Sequence, residues 1–549
     1  MRIEKSQIIN SALWAAYGDA VGFITELASS DSLVKRRSGV TKIIETISWK
    51  RQVGGKFGTL ANLPAGCYSD DTQLRLSTCR AILGNGKFDA ESFAKIELPV
   101  WLSYALGAGR GSKAAANNLG QSSVNWNTNF FKDKRSSYFQ CGGNGAAMRI
   151  QPHVWAATPD TSLDKVMLNV IKNSITTHGH ARGILGAVFH ANCLSFALNY
   201  KELPPPDEWL SFVNFFSEIP KIVSNDPELS AIWLPIWESE NGTSFEYGCE
   251  VVARECRKDI SSLIELIDKG ASYSDLVHSI GGFEDKTRGS GTKTAILSVA
   301  HAWLYRRASI KEALLAAANL LNSDTDTIAT MSGAILGCVT KTVPSDRLAD
   351  RQYIEDQAQR CWNIANGNKV ENFNYPDLFK WKTPKTQLDV VQILDQSPYV
   401  IGLGKGSLEG EEFKAQSGKP PASWQWIKLD FGQKVLCKRR ETLAPADPII
   451  VPSKTQQNQM SKVKNSEPNA QNELFGEAPV NRSSTQSNIS KKRDLHALTN
   501  DAISSNFDPY TVGQNLLEAI GDKNSIEDVV AYSAIIAKAV ISRKAKNRS

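Results

Sequence analysis

No Cys-x-x-Cys pair occurs in this sequence, although it has nine cysteines. An odd number without paired spacing argues against a disulfide frame and against a structural zinc site. It favours reduced thiols in a cytoplasmic protein. Long hydrophobic runs are missing too, since none approaches the roughly 18 residues a membrane span requires. The amino terminus, MRIEKSQIIN, lacks the apolar centre of a secretory signal. No membrane association is therefore expected. Charge of one sign is scarce outside a single stretch. Between Lys434 and Arg493 stand 11 Lys/Arg against 5 Asp/Glu, and the remainder of the chain is balanced at 52 of each. This describes a mildly basic linker and not a basic face for nucleic acid. Strand-like alternation is also absent up to about residue 370, which predicts an all-α region of unusual size.

What is there reads mostly as helix. The length of 549 residues exceeds one ordinary domain. Residues 5–27 place Ile8, Ile9, Ala12, Leu13, Ala16 and Ala20 on one side at helical spacing. Gly18 and Gly22 in that segment are expected where another backbone comes close. Further helices are predicted over 73–84, Ala90–Leu106, Ser112–Leu119, Ala146–Ala157, Leu163–Ser174, Ala181–Leu198, short pieces between 206 and 281, Lys293–Arg306, Ile310–Leu321 and Ser345–Ala365. Beyond residue 384 the character changes, and 384–440 reads as a small β-rich appendage, with Ile427–Phe431 alternating. Residues 441–495, rich in Pro, Gln, Asn, Ser and Lys, read as a disordered basic linker. The segment 496–549 regains helical pattern at 512–520 and 526–541. It is too small to bury much core, so it is expected to dock on its own chain or on a protein partner.

The chemistry concentrates where acidic turns enter helices. In Leu321–Gly337, LNSDTDTIATMSGAILG, a hydroxyl-rich acidic turn runs into an apolar helix of small residues. Asp324, Asp326 and Thr327 can converge on one point only if the turn gathers them, and crowded carboxylates call for a cation. One capping residue would satisfy the helix start, and D-T-D-T has four candidates. Ser69-Asp70-Asp71-Thr72 repeats the pattern, and Glu26 closes the first helix. All these groups are hard oxygens, which selects Mg²⁺, Mn²⁺ or Ca²⁺, and five carboxylates exceed what one Mg²⁺ needs. Scattered helix caps remain the alternative reading. Cys141-Gly-Gly-Asn-Gly145 is a glycine turn before Met148 and Arg149, and Thr177-His-Gly-His180 opens the next helix. The two histidines could equally be polar residues at a helix start. Trp101, Trp126 and Trp155 read as core aromatics, and Asp19 as a group orienting its neighbours.

Five of these pieces occur in the order found in the ADP-ribosylglycohydrolase family of the dinitrogenase-reductase-activating type, which residues 1 to about 368 resemble. They are Gly18-Asp-Ala-Val-Gly22 with Glu26, Tyr68-Ser-Asp-Asp-Thr72, Gly143-Asn-Gly-Ala-Ala-Met-Arg149 with Pro152, Thr177-His178, and Asp324-Thr-Asp-Thr-Ile328. The resemblance implies one large orthogonal helical domain over 1–370, with two Mg²⁺ or Mn²⁺ ions in a central cleft. It implies cleavage of an ADP-ribosyl N- or O-glycosidic bond with release of ADP-ribose. Ser69, Asp70, Asp71, Asp324, Asp326 and Thr327 would be metal ligands. Glu26, with Asp71 and Asp324, would form the catalytic group. Gly143, Asn144, Gly145 and His178 would meet substrate. That substrate would be an ADP-ribosylated protein in the first place, with ADP-ribosylated nucleic acid left open. A small ADP-ribosyl conjugate, or a binding protein without activity, are the alternatives. Two stretches depart from the family pattern. Asn322-Ser323 stands where Gly-Gly often precedes D-T-D-T, and 121–140 is unlike the family at the expected substrate entrance.

Overall fold

The computed structural model describes residues 3–134, 136–158, 160–415, 421–447, 451, 495–520, 529–530, 532–537 and 539–540. In chain order, the elements that place the site begin with α1 (Lys5–Thr25) and a hairpin of β1 (Trp49–Val53) and β2 (Thr59–Leu63). Then come α2 (Asp70–Ala81), α3 (Ala181–Tyr200), α4 (Phe245–Asp268), α5 (Gly291–Leu304), α6 (Thr325–Cys338) and α7 (Arg351–Ala365). Strands β3 (Val391–Leu394), β4 (Ser397–Val400), β5 (Gly404–Lys414), β6 (Ala422–Leu429) and β7 (Lys434–Arg440) follow as an antiparallel meander. Helices α8 (Leu495–Ser504) and α9 (Pro509–Ala519) come last.

The centre of the fold is the pair α1 and α6, and glycine explains why they meet so closely. A Cβ on Gly18 would lie 2.4 Å from Ala329 O, and one on Gly22 2.3 Å from Thr325 O. From the other side, Gly333 and Gly337 would meet Trp14 O at 2.4 Å and Asn10 O at 2.6 Å. Backbone therefore rests on backbone along the whole crossing. Ser11 Oγ donates to Ala334 O at 2.8 Å and Thr325 Oγ1 to Gly22 O at 3.0 Å, which fixes the register. The second contact pins the acidic turn of α6 to the end of α1, just before Glu26. Helix α3 is long and apolar enough to cross a membrane, yet most of it lies buried inside the protein. All nine cysteines are unpaired.

Three helix expectations fail for identifiable reasons. The predicted helix Ala90–Leu106 is a short turn, a π-helical turn over Phe93–Glu97 and a last turn Leu98–Trp101. Pro99 has no N–H to give the carbonyl four residues back, and Lys95 O accepts from Trp381 Nε1 at 2.8 Å instead. The predicted helix Ala146–Ala157 is a 3₁₀ turn, Ala147–Arg149, followed by Gln151–Trp155, with Pro152 in the first turn of the second piece, where a missing N–H costs nothing. Conversely, where only short pieces are expected between 206 and 281, Phe245–Asp268 forms the single long helix α4. The hairpin β1–β2 also lies inside a region expected to be wholly helical. Its second strand alternates buried and exposed positions through Thr59, Ala61 and Leu63, a period-2 signal only five residues long.

The chain divides into two compact units, Met1–Ile222 with Trp237–Pro452, and Val223–Ile236 with Ser453–Ser549. The five-stranded sheet belongs to the first unit, where Lys438 N donates to Ser103 O at 2.8 Å. In the second, Leu498, Ala502, Ala519, Tyr532 and Ile536 form a small core. Of the linker expected over 441–495, residues 448–450 and 452–494 lie outside the described residues. The last helix expected, over 526–541, is described only at 529–530, 532–537 and 539–540.

Candidate active site

The segment before α2 is shaped by a buried carboxylate. Asp19 Oδ1 accepts Ser69 N at 2.8 Å and Asp19 Oδ2 accepts Thr72 N at 2.9 Å, so α1 holds the Ser-Asp-Asp-Thr turn at two points. Ser69 caps α2 through its hydroxyl, which accepts Asp71 N at 3.2 Å. Asp70 Oδ1 accepts Ala108 N at 2.7 Å. That leaves Asp71, whose Oδ1 lies 3.4 Å from Thr327 Oγ1 of α6. Its Oδ2 is buried with no hydrogen-bond partner. The two acidic turns, some 250 residues apart in sequence, meet there.

On the α6 side, Asp324 occupies the N-cap position and makes no side-chain cap bond. The simple capping reading fails for this residue. Its Oδ2 accepts Asn144 Nδ2 at 2.7 Å instead. Asp326 Oδ1 accepts Thr327 N at 2.9 Å. Glu26 is ion-paired with Arg51 of β1 at 2.7 Å. Its charge raises the proton affinity of Asp70, Asp324 and Asp326, which places it among them. Burial first, and the charge of Glu26 next, push the Asp70 carboxyl up to about 7. Burial first and then neighbouring carboxylates hold Asp71 and Asp326 well above the ordinary range. Asp324 is raised chiefly by burial. Crowded, dry carboxylates of this kind demand protons or a cation.

The glycine turn is built differently from expectation. Where the predicted helix Ala146–Ala157 would begin, only a 3₁₀ turn over Ala147–Arg149 follows it. Asn144 N donates to Gly289 O at 3.0 Å and Gly291 N to Gly142 O at 2.9 Å, so the turn pairs with the segment entering α5. Arg149 braces it from behind, giving Nη1 to Gly145 O at 2.9 Å and Nη2 to Thr177 Oγ1 at 2.8 Å. Thr177 Oγ1 also meets His178 Nδ1 at 2.7 Å. That hydroxyl accepts from Arg149 and lies 3.5 Å from Ser174 O and 2.7 Å from Nδ1; when its proton goes to the nearer Nδ1, Nε2 of His178 carries the N–H. Burial, then the charge of Arg149, lowers the His178 pKa to about 3. A neutral ring results. A Cβ on Gly145 would lie 2.7 Å from Ser112 Oγ and 3.0 Å from His178 Cε1, so the turn packs tightly against the ring.

Every anticipated site residue thus lies in one neighbourhood: Glu26, Ser69, Asp70, Asp71, Asp324, Asp326 and Thr327 on one side, Gly143, Asn144, Gly145 and His178 on the other. Among the described residues, no three His, Cys, Asp or Glu side chains form a ready-made metal cluster. The carboxylates are held apart by Ala108 N, Asn144 Nδ2 and Thr327 N. Mg²⁺ keeps several waters and takes few carboxylates directly, so the unpartnered Asp71 Oδ2 and the adjoining hydroxyl of Thr327 fit such an ion. Several supporting residues were missed from sequence, namely Arg51, Ala108, Gly289–Gly291 and Arg75. Arg75 is buried, and its Nη2 donates to Thr72 Oγ1 at 2.6 Å. An arginine one turn after the acidic pair was the available signal for the last.

The ADP-ribosylglycohydrolase family model matches residues 4–371. The chain belongs to that family, whose members act on ADP-ribosyl linkages. It is also similar to a solved structure described as an ADP-ribosylglycohydrolase-related protein complex, at 18% identity over 66% of this chain and 98% of that one, with a TM-score of 0.41. No curated protein matches the chain.

Proposed function

We propose that this protein hydrolyses an ADP-ribosyl glycosidic bond on a modified macromolecule, a protein in the first place, with two divalent ions, Mg²⁺ or Mn²⁺. The observation that carries this reading is the meeting of Asp71, Thr327 and the unpartnered Asp71 Oδ2 between two acidic turns. Ser69, Asp70, Asp71, Asp324, Asp326 and Thr327 are the groups to hold the ions. Bound there, such ions would supply positive charge to orient ribose hydroxyls and to acidify a water. Asp19 fixes the Ser69–Thr72 backbone so that its oxygens are in place beforehand, a positioning role. Asn144 orients Asp324, and Arg149 stiffens the turn that carries it. His178, neutral and with Nε2–H toward Gly143 and Gly145, suits donation to a ribose or phosphate oxygen. Glu26 is the carboxylate that none of the bonds within the acidic cluster occupies, and it is assigned the proton transfer. Its pairing with Arg51 holds it in one orientation.

The residues 496–549 are proposed as a docking segment for a protein partner, and the enzyme as cytoplasmic. The assay is release of free ADP-ribose from ADP-ribosyl-arginine, ADP-ribosyl-serine and ADP-ribosylated DNA, with Mg²⁺, with Mn²⁺ and with chelator. Metal-dependent release from one substrate supports the reading. Release untouched by chelator would remove the metal from it, and no release from any substrate would remove the hydrolysis.

A further inference from the structure

Arg75 stands one helical turn after Asp71 on α2, and the four-residue spacing puts both on one face of that helix. Both are buried, each 2% exposed, and Asp19 is buried completely. Of the guanidinium, Nη2 donates to Thr72 Oγ1 at 2.6 Å, while Nη1 is buried with no partner. Among the described residues no carboxylate bonds it directly. A guanidinium stays charged, and a buried charge is costly unless something balances it. Two other buried arginines are satisfied at close range. Arg80 holds Glu97 through Nε at 2.7 Å and Nη2 at 2.8 Å. Arg149 gives its donors to Asn173, Gly145 and Thr177. Arg75 has one hydroxyl, so its counter-charge lies further off.

The carboxylates that balance it are those of the acidic cluster. Burial lowers the proton affinity of Arg75 first, and Asp19 and then Asp71 work against that. In return the guanidinium opposes the rise that burial, as the largest cause, imposes on Asp19 and Asp71. The shape of the turn does not depend on Arg75. Asp19 already holds Ser69 N and Thr72 N, and Ala108 N holds Asp70. Thr72 Oγ1, the atom that Arg75 touches, is not among the groups assigned to the ions. What Arg75 adds to this site is charge.

We propose that Arg75 is the interior counter-charge of the acidic cluster: it stabilises the site without a cation and loosens the hold of the site on one. The second half rests on the reading of Asp71 as a metal ligand. The guanidinium touches none of the assigned ligands and acts through its field alone. A fixed positive charge repels a divalent ion twice as strongly as a proton in the same place. Exchange of one proton for the ion therefore leaves the sign of the effect unchanged.

Two variants of the full chain separate charge from packing. Arg75→Met keeps most of the volume and loses the charge, whereas Arg75→Lys keeps the charge and loses the planar fork. In chelator, at about pH 8, above the ordinary carboxylate range, Arg75→Met should melt at least about 3 °C below Arg75→Lys. Calorimetric titration with Mn²⁺ should then show Arg75→Met binding at least threefold tighter than the parent, and Arg75→Lys within twofold of it. Should Arg75→Met not fold, Arg75→Gln takes its place, neutral as well and able to donate to Thr72 Oγ1. A neutral variant that melts no lower than Arg75→Lys, or that holds Mn²⁺ no tighter than the parent, overturns the proposal. A parent that binds no Mn²⁺ removes the metal from the proposed function, and the two melting temperatures in chelator then decide the counter-charge by themselves.

Discussion

At the scale of single residues, the acidic cluster costs stability in order to create a site. Asp71 and Asp326 are buried among like charges and held well above the ordinary carboxylate range. A group whose proton affinity rises on folding destabilises the folded state at neutral pH, where the unfolded chain carries it deprotonated. Asp326→Asn removes one such charge and keeps the oxygen that accepts Thr327 N. The metal-free variant should therefore melt roughly one to three degrees higher than the parent, with about 1 kcal/mol of repulsion relieved. Mg²⁺ or Mn²⁺ should no longer raise its melting temperature, and hydrolysis should be lost. A lower metal-free melting temperature, or an undiminished response to metal, contradicts the assignment. Glu26→Gln probes the proton transfer. It keeps the reach of the side chain but accepts no proton, so turnover should fall by about 10²–10⁴ while ADP-ribose binds within a few-fold. Lost binding would make Glu26 a ligand, and unchanged turnover would make it structural. The acids themselves were legible because several oxygens precede two helices. Arg51 was not, since its contact with Glu26 depends on a hairpin that the sequence hides.

At the scale of elements, the site depends on how closely α1 and α6 approach. A Cβ at Gly22 would fall 2.3 Å from Thr325 O and 2.5 Å from Asp326 Cα, both backbone atoms that cannot swing aside. Gly22→Ala must therefore push the Thr325–Asp326 backbone away from Asp71. Overpacking of this kind costs typically about 1–3 kcal/mol, and a ligand displaced by about 1 Å can cost 10²-fold in rate. Activity and metal response should fall far more than the melting temperature does. A variant that unfolds outright, or that retains full activity, would show that the crossing is either less forgiving or more elastic than its geometry says. Small residues at four-residue spacing in α1 made this crossing readable in advance. Less readable were elements touched by one missing N–H: Pro99 leaves Lys95 O to Trp381 beside a π-helical turn within 90–101, and Pro152 stands in the first turn of Gln151–Trp155. The glycine turn at 142–145 was legible as a turn. Its partner, the segment 289–291, was not, because pairing across about 145 residues leaves no local trace.

At the scale of the whole molecule, the boundary near residue 370 is sharp in composition and in the family match, which ends at 371, but it is not sharp in packing. Arg80 and Glu97 form a fully buried ion pair at 2.7 Å. Residues beyond the boundary complete it. Tyr375 Oη donates to Glu97 Oε1 at 2.6 Å, and Gln433 Oε1 accepts Arg80 Nη1 at 2.7 Å. The guanidinium also lies 5.4 Å from the ring of Phe431 and 5.7 Å from that of Phe373. Sequence periodicity reports the face of a helix but not which later strand covers a buried charge, so the appendage looked separable. A chain ending at 370 keeps every candidate site residue yet leaves this pair with fewer partners and open to water. Breaking up a buried pair costs roughly 3–5 kcal/mol, and here both charges remain while their second hydrogen bonds and aromatic cover go. A fragment 1–370 should show a helical far-ultraviolet spectrum but unfold at clearly lower denaturant than a fragment 1–447. Gln433→Leu in the longer fragment, which leaves Arg80 one acceptor short, should lose part of that difference, about 1–3 kcal/mol. Equal midpoints for 1–370 and 1–447 would mean that the helices close over Arg80 and Glu97 without the sheet.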